Sequence, residues 1–158
     1  MRFNSDFQLK GRFKYTKYRD GEVVYESPMI ENIILKNDNP CGLYVVLNRM
    51  LGITTHDIQI TSAEIGTGNT TPTKADTSLV TMVLDDIPVA TGSRLTDDEI
   101  QFVFFVNDKE LANGTYKEIG LRAGTQLFTR ALIDPEFTKS SGEDFRFDYF
   151  ISASPLES

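Results

Sequence analysis

Phe7-Gln8-Leu9-Lys10-Gly11-Arg12-Phe13-Lys14-Tyr15-Thr16, followed by Asp20-Gly21 and Glu22-Val23-Val24-Tyr25-Glu26, is the stretch that decides the fold class. Phe7, Leu9, Gly11, Phe13 and Tyr15 share one parity, and Gln8, Lys10, Arg12, Lys14 and Thr16 share the other. A period of two is that of a strand with one buried face. Asp-Gly is the dipeptide of a tight hairpin, because its residues tolerate positive φ. The chain therefore opens as antiparallel β. Pro28 cannot donate to a ladder, so the second strand is expected to end there or to run along an edge. Lys10, Arg12, Lys14, Lys17 and Arg19 form the one basic cluster. It reads as a solvated strand face that discourages edge pairing, with a surface for an acidic partner as the alternative.

Outward from this hairpin comes one helix. Asn39 is placed to cap it, Pro40 suits its first turn and Gly52 closes it. Leu43, Val46, Leu47, Met50 and Leu51 follow the spacing of a single apolar stripe, which wants the open face of a sheet. Strand signals dominate thereafter. In Asp57–Ile65 the parity changes between Ile60 and Ala63, as a bulge or a stretch covered on both faces requires. Leu79–Val89 is an apolar run ended by Gly92. Glu99–Val106 has Ile100, Phe102, Phe104 and Val106 on one face and Val103 and Phe105 on the other, which predicts a central, doubly buried strand. Asn107–Gly114 is a polar connector with one helical turn. Tyr116–Leu121 and Gln126–Ile133 flank the turn Arg122-Ala123-Gly124-Thr125. The last strand, Phe145–Ile151, sets Phe145, Phe147, Tyr149 and Ile151 against Arg146, Asp148 and Phe150. The pattern predicts a mainly β protein, an antiparallel β-sandwich (jelly-roll-like) with one short α-helix, as a single domain over residues 1–158. Residues 1–35 form an N-terminal hairpin that is a candidate assembly arm. Its candidate assembly contacts are Phe7, Leu9, Phe13 and Tyr15, on a free edge that would add to a neighbour's sheet.

Between two of these strands lies Ile65-Gly66-Thr67-Gly68-Asn69-Thr70-Thr71-Pro72-Thr73, then Lys74-Ala75-Asp76-Thr77-Ser78-Leu79. Small, polar and turn-forming residues cannot bury a face, so Gly66, Thr67, Gly68, Asn69 and Pro72 are expected in a surface loop. No lysine follows Gly68 where a phosphate cradle needs one, and the third glycine of a dinucleotide fingerprint is missing. The loop reads as architectural.

The bulk numbers narrow the function. At 158 residues the chain is long enough to bury a core without staples. Its net charge of −7 makes nucleic acid and anionic membranes poor partners. A single cysteine, Cys41, excludes an intramolecular disulfide framework, and no run of about 20 apolar residues predicts a membrane span. Met1–Asp6 has no apolar core of a signal peptide, so Asn69-Thr70-Thr71 and Asn113-Gly114-Thr115 are taken as chance glycosylation triplets. Cys41, expected at the helix start, has no histidine near in sequence to act as its base. His56 is the one histidine, in a polar connector. Asp85-Asp86 and Asp97-Asp98-Glu99 have the acids for general acid–base chemistry or for calcium, but they abut turn residues where acids are common. No catalytic, cofactor-binding or metal residues are therefore expected.

The order of elements resembles a family. Glu31-Asn32-Ile33-Ile34-Leu35 precedes the Gly42-Leu43 helix. Ile65-Gly66-Thr67-Gly68, Pro72-Thr73 and Asp76-Thr77-Ser78-Leu79 follow. Glu118-Ile119-Gly120-Leu121, Leu127-Phe128-Thr129-Arg130-Ala131 and Phe137-Thr138-Lys139-Ser140 come before the last strand. From about Glu31 to Ile151 this is similar to the small structural proteins of tailed bacteriophage virions, described as tail-fibre, baseplate or minor structural proteins. The helix here is bulkier than in that family, and Val80–Asp86 lacks the arginine that commonly follows Asp-Thr-x-Leu. The resemblance implies a non-enzymatic virion protein of the tail appendages, made in the host cytoplasm without a signal peptide. It implies no cofactor, and as partners a homo-oligomer (a trimer is one arrangement) and other virion structural proteins. A capsid decoration or cement protein is the runner-up. A carbohydrate-binding module, using Tyr15, Tyr18, Tyr25 and Tyr116, is the alternative of another class.

Overall fold

The computed structural model describes residues 7–155, with side chains from 8 to 153. Alternation carries β1 from Phe7 to Arg19; Asp20 and Gly21, at φ 51° and 78°, turn it into β2, Glu22–Glu26. After Pro28 come β3 (Ile30–Ile34), the short pair β4 (Lys36–Asn37) and β5 (Cys41–Gly42), and the one helix, α1 (Leu43–Met50). Then follow β6 (Ile60–Gly66), β7 (Met82–Pro88), β8 (Thr91–Thr96) and β9 (Glu99–Val106). A 3₁₀ turn at Asp108–Glu110 leads to β10 (Gly114–Ala123), β11 (Gln126–Lys139) and β12 (Glu143–Pro155).

Ten strands form one antiparallel sheet in the order β7-β6-β10-β11-β3-β1-β12-β9-β8, with β2 also on β1. The sheet curls into a half-barrel, so the mainly β, sandwich-like expectation holds with its two layers joined. β3 is the corner. Its first residues, Ile30–Asn32, pair with Phe13–Gly11 of β1, and its last, Ile33 and Ile34, pair with Arg130 and Thr129 of β11. The inner faces then meet. Phe13, Tyr15, Phe104, Phe145, Phe147 and Tyr149 from one half pack with Ile65, Ile119, Leu121, Ala131, Ile133 and Phe137 from the other. Burying each of the Phe, Ile and Leu side chains among them is worth about 1.5–3 kcal/mol. The hydroxyls of Tyr149 and Thr129, 2.9 Å apart and fully buried, link the halves through the core.

Several expectations are corrected. Phe13 and Tyr15 are 0% and 2% exposed, so they build this chain's own core rather than assembly contacts. β1 pairs with β12 along its whole length and, on its other side, with β3 at Gly11–Phe13 and β2 at Thr16–Arg19, so it is built into the sheet and is not a projecting arm, although among the described residues Gln8–Lys10 keep an open edge. Leu9 packs against the same core, and the Phe7 side chain and Met1–Asp6 lie outside the described residues. Asn39 and Pro40 fall in the turn before β5, and α1 starts after Gly42 (φ 61°) without a side-chain cap. Of the stripe, Leu43 and Val46 meet the core; Leu47, Met50 and Leu51 stay 53%, 78% and 77% exposed, and Val45 is buried instead. The helix is seated on the short β4 and β5, a ledge too narrow for five apolar side chains.

The expected double burial of β9 holds at Val103, 7% exposed on the outer face, but not at Phe105. β9 sits between β12 and the edge strand β8, and Phe105 is about half exposed beneath the Arg146 guanidinium. β8 was not anticipated, because Thr91–Thr96 has no apolar alternation and is exposed throughout; its pairing with β9 alone makes it a strand. In β6 both readings of the parity slip apply. Ile60 faces Ala123 and Ser62 faces Arg122, so Thr61 is the bulged residue, while Ser62–Gly66 are buried on both faces.

Candidate functional site

The double burial of β6 draws attention to the outer face of β6, β10 and β11. Ile119, Leu121 and Ala123 of β10 point to the core, so Glu118, Gly120 and Arg122 point away from it. In a sheet with one solvated face these would be wet. Instead Glu64, Glu118 and Arg130 are 0%, 0% and 1% exposed, and the loop between β6 and β7 folds back over Glu118 and Arg130.

The loop is held by charge. Glu118 Oε1 accepts the backbone N–H of Gly68 at 3.0 Å and of Thr81 at 2.7 Å; Oε2 accepts that of Val80 at 3.0 Å and Nε–H of Arg130 at 3.1 Å. Arg130 donates onward to Asp76 Oδ2 at 2.9 Å and to the Thr70 carbonyl at 2.8 Å. Asp76 in turn accepts from the Thr73 N–H and hydroxyl, each at 3.0 Å. Arg130 lies opposite Gly120 in the ladder, and Glu118 lies opposite Gly66. The one guanidinium thus faces two carboxylates, and three backbone N–H groups at Glu118 offset the remaining negative charge. A second ion pair, Arg122 with Glu64, continues the row. Burial pushes the Glu64 carboxyl up, against the opposing pull of Arg122.

This network explains the paired glycines. A Cβ on Gly66 would fall inside contact distance of the Thr81 carbonyl and 2.6 Å from Glu118 Oε1; on Gly68 it would be 2.5 Å from both Glu118 Oε1 and Val80 Cβ. The glycines are needed for close approach, not for a turn conformation. Gly66→Ala is expected to cost about 1–3 kcal/mol by overpacking, because the obstacle is backbone. Chemical denaturation checks this, and an unchanged midpoint would contradict the packing.

Burial would raise the Asp76 carboxyl, but the Thr73 N–H and Arg130 overcome it and hold Asp76 below its usual range. A depressed folded value means a contribution that is complete above the unfolded value of about 3.9 and is lost as pH falls through it and beyond. The difference in melting temperature between wild type and Asp76→Asn should therefore hold between about pH 6 and about pH 5 and shrink from there to about pH 3. A constant difference would show that the charge of Asp76 does not hold the loop.

The other singled-out residues are scattered. Cys41 is a buried β5 residue whose thiol burial pushes up, opposite to a helix-start thiol. His56 lies beyond α1, and its carbonyl accepts from Arg49 Nη2 at 3.0 Å. Asp85 and Asp86 are exposed on the edge strand β7. Asp97 and Asp98 form the β8–β9 turn, where the Thr96 hydroxyl donates to Asp98 at 2.7 Å and Arg94 to the Asp97 carbonyl at 3.0 Å. Among the described residues no three His, Cys, Asp or Glu side chains converge as metal ligands. Of the four tyrosines, Tyr15 and Tyr116 are core residues, which breaks up the proposed sugar platform. In the loop Thr67 and Asn69 are exposed and Pro72 half-buried, while Gly66 and Gly68 are buried.

Glu118, Arg130 and Asp76 each stood in a motif but not as partners. The available signal was a lone arginine within the apolar run Leu127–Ile133. Set against protein-family models, curated proteins and solved structures, the chain finds no match.

Proposed function

We propose that this chain is a non-enzymatic structural protein of a tailed-bacteriophage virion, in a tail appendage such as a fibre, baseplate or adaptor. One observation carries the reading. The separate motifs on which the resemblance rests, Gly66-Thr67-Gly68, Pro72-Thr73, Asp76, Glu118-Ile119-Gly120 and Arg130, come together as one clamp whose charged groups satisfy each other and the loop backbone. A signature made of mutually satisfied groups serves shape rather than turnover. Exposed large apolar side chains, including Val23 and Val24 on β2 and Met50 and Leu51 at the end of α1, suit a protein that works in an assembly with copies of itself and other virion proteins.

Antibody-gold labelling of intact particles from a lysate of the source tests the proposal. Label on the tail or its fibres is the expected result. Label over the head would make the protein a capsid decoration instead, and particles without label would overturn the virion reading.

A further inference from the structure

A second feature lies where β3 leaves β1 to reach β11. Gly11 pairs with Asn32, but beyond it Gln8–Lys10 have, among the described residues, no strand partner on the side facing β3, while Ile33 and Ile34 have turned to β11. Two strand edges diverge from the Gly11–Asn32 pair, and the wedge between them opens into a cleft of about 690 Å³. At its apex the Asn32 side-chain amide is packed against Gly11, with its nitrogen and oxygen buried and without hydrogen-bond partners among the described residues.

The charge of the cleft is opposite to that of the chain. Lys10, Lys36 and Lys74 line it and join no ion pair among the described residues. Arg12 and Glu99 neutralise each other at 3.0 Å, which leaves Glu31, among the described residues, as the one unpaired acid in the lining. This excess of lysine stands in a protein of net charge −7. An unpaired strand edge wants backbone N–H and C=O groups, which a peptide has and a simple polyanion lacks. The other open strands with exposed apolar side chains carry acids: β2 is flanked by Glu22 and Glu26, β7 holds Asp85 and Asp86, and β8 runs into Asp97 and Asp98, so each would repel the same ligand.

We propose that this cleft binds an extended acidic segment of a partner protein, which adds as a strand to Gln8–Lys10 and sets its carboxylates against Lys10, Lys36 and Lys74. The site does not depend on the partner's being a virion component, so it stands or falls separately from the particle-labelling result. Because β1 and β3 run antiparallel, the incoming strand lies antiparallel to one wall and parallel to the other.

The test is an NMR titration of the isotopically labelled full chain with an eight-residue alternating Thr–Glu peptide. An alternating Thr–Lys peptide and inorganic polyphosphate serve as comparisons. Shifts concentrated at Gln8–Gly11 and Asn32–Lys36, seen with the Thr–Glu peptide alone, are the expected result. Lys36→Glu with Lys74→Glu should weaken that binding about tenfold or more, because rim charges hold the segment. Lys109→Glu with Lys117→Glu, the same change in net charge elsewhere, should leave it unchanged. Absence of binding, shifts at other amides, or equal weakening by both double variants would overturn the proposal. Polyphosphate shifting the same amides as strongly would make this a general polyanion site and overturn the strand-addition reading.

Discussion

Arg130→Ala should lower stability by about 3–5 kcal/mol, the cost of leaving a buried carboxylate without its cation. In a domain of this size that is a fall in melting temperature of about 6–20 °C. The size follows from position. Arg130 is 1% exposed, its partner Glu118 is 0% exposed, and the same guanidinium holds Asp76 and the Thr70 carbonyl. Removing it strands Glu118 under a loop that excludes water. The surface pair Arg12–Glu99, with Arg12 47% exposed, has the same formal charges, yet Arg12→Ala should cost no more than about 1 kcal/mol. Combining Arg130→Met with Glu118→Gln separates the pair from its surroundings. The double variant should be less damaged than the two single losses added, with a coupling of about 0.5–3 kcal/mol. Strict additivity in urea denaturation would mean that the two groups do not act as a pair.

Phe137→Ala should be comparably severe, at about 3–5 kcal/mol, through a cavity the surrounding rings cannot fill. Phe137 is 1% exposed, with ring centroids 4.7 Å from Phe145, 5.1 Å from Tyr116, 5.4 Å from Tyr15 and 5.6 Å from Phe147. These neighbours come from three strands, β1, β10 and β12, so the loss falls on the junction of the two halves of the sheet. Phe105 makes the contrast. It lies on the outer face at 49% exposure, with only Arg146 above it, and Phe105→Ala should change stability by less than about 1 kcal/mol. Thermal unfolding of the two variants side by side checks the assignment of inner and outer faces. Equal losses would contradict it.

Much of this fold was legible in the chain. The parity of Phe13 and Tyr15, and of Phe145, Phe147, Tyr149 and Ile151, marked inner faces that the structure confirms residue by residue. Asp20-Gly21 marked its hairpin, and the composition of Thr67–Ser78 marked a loop. These are local properties, since strand alternation and turn chemistry are written within a few neighbouring residues. Which outer face receives a second layer is not local. Glu118 and Arg130 alternate with the core-facing Ile119 and Ala131, a parity that by itself belongs to a solvated face. Their burial rests on Gly68, 50 positions from Glu118, and on Asp76, 54 positions from Arg130. The outward turn of Leu47, Met50 and Leu51 likewise depended on the narrow ledge that β4 and β5 happen to offer. Alternation and turn residues thus determined the strands and their inward sides. Long-range pairing decided where the sheet bends, at β3, and which charges lost their water, because only contacts between distant residues can exclude solvent from a face that the sequence writes as polar.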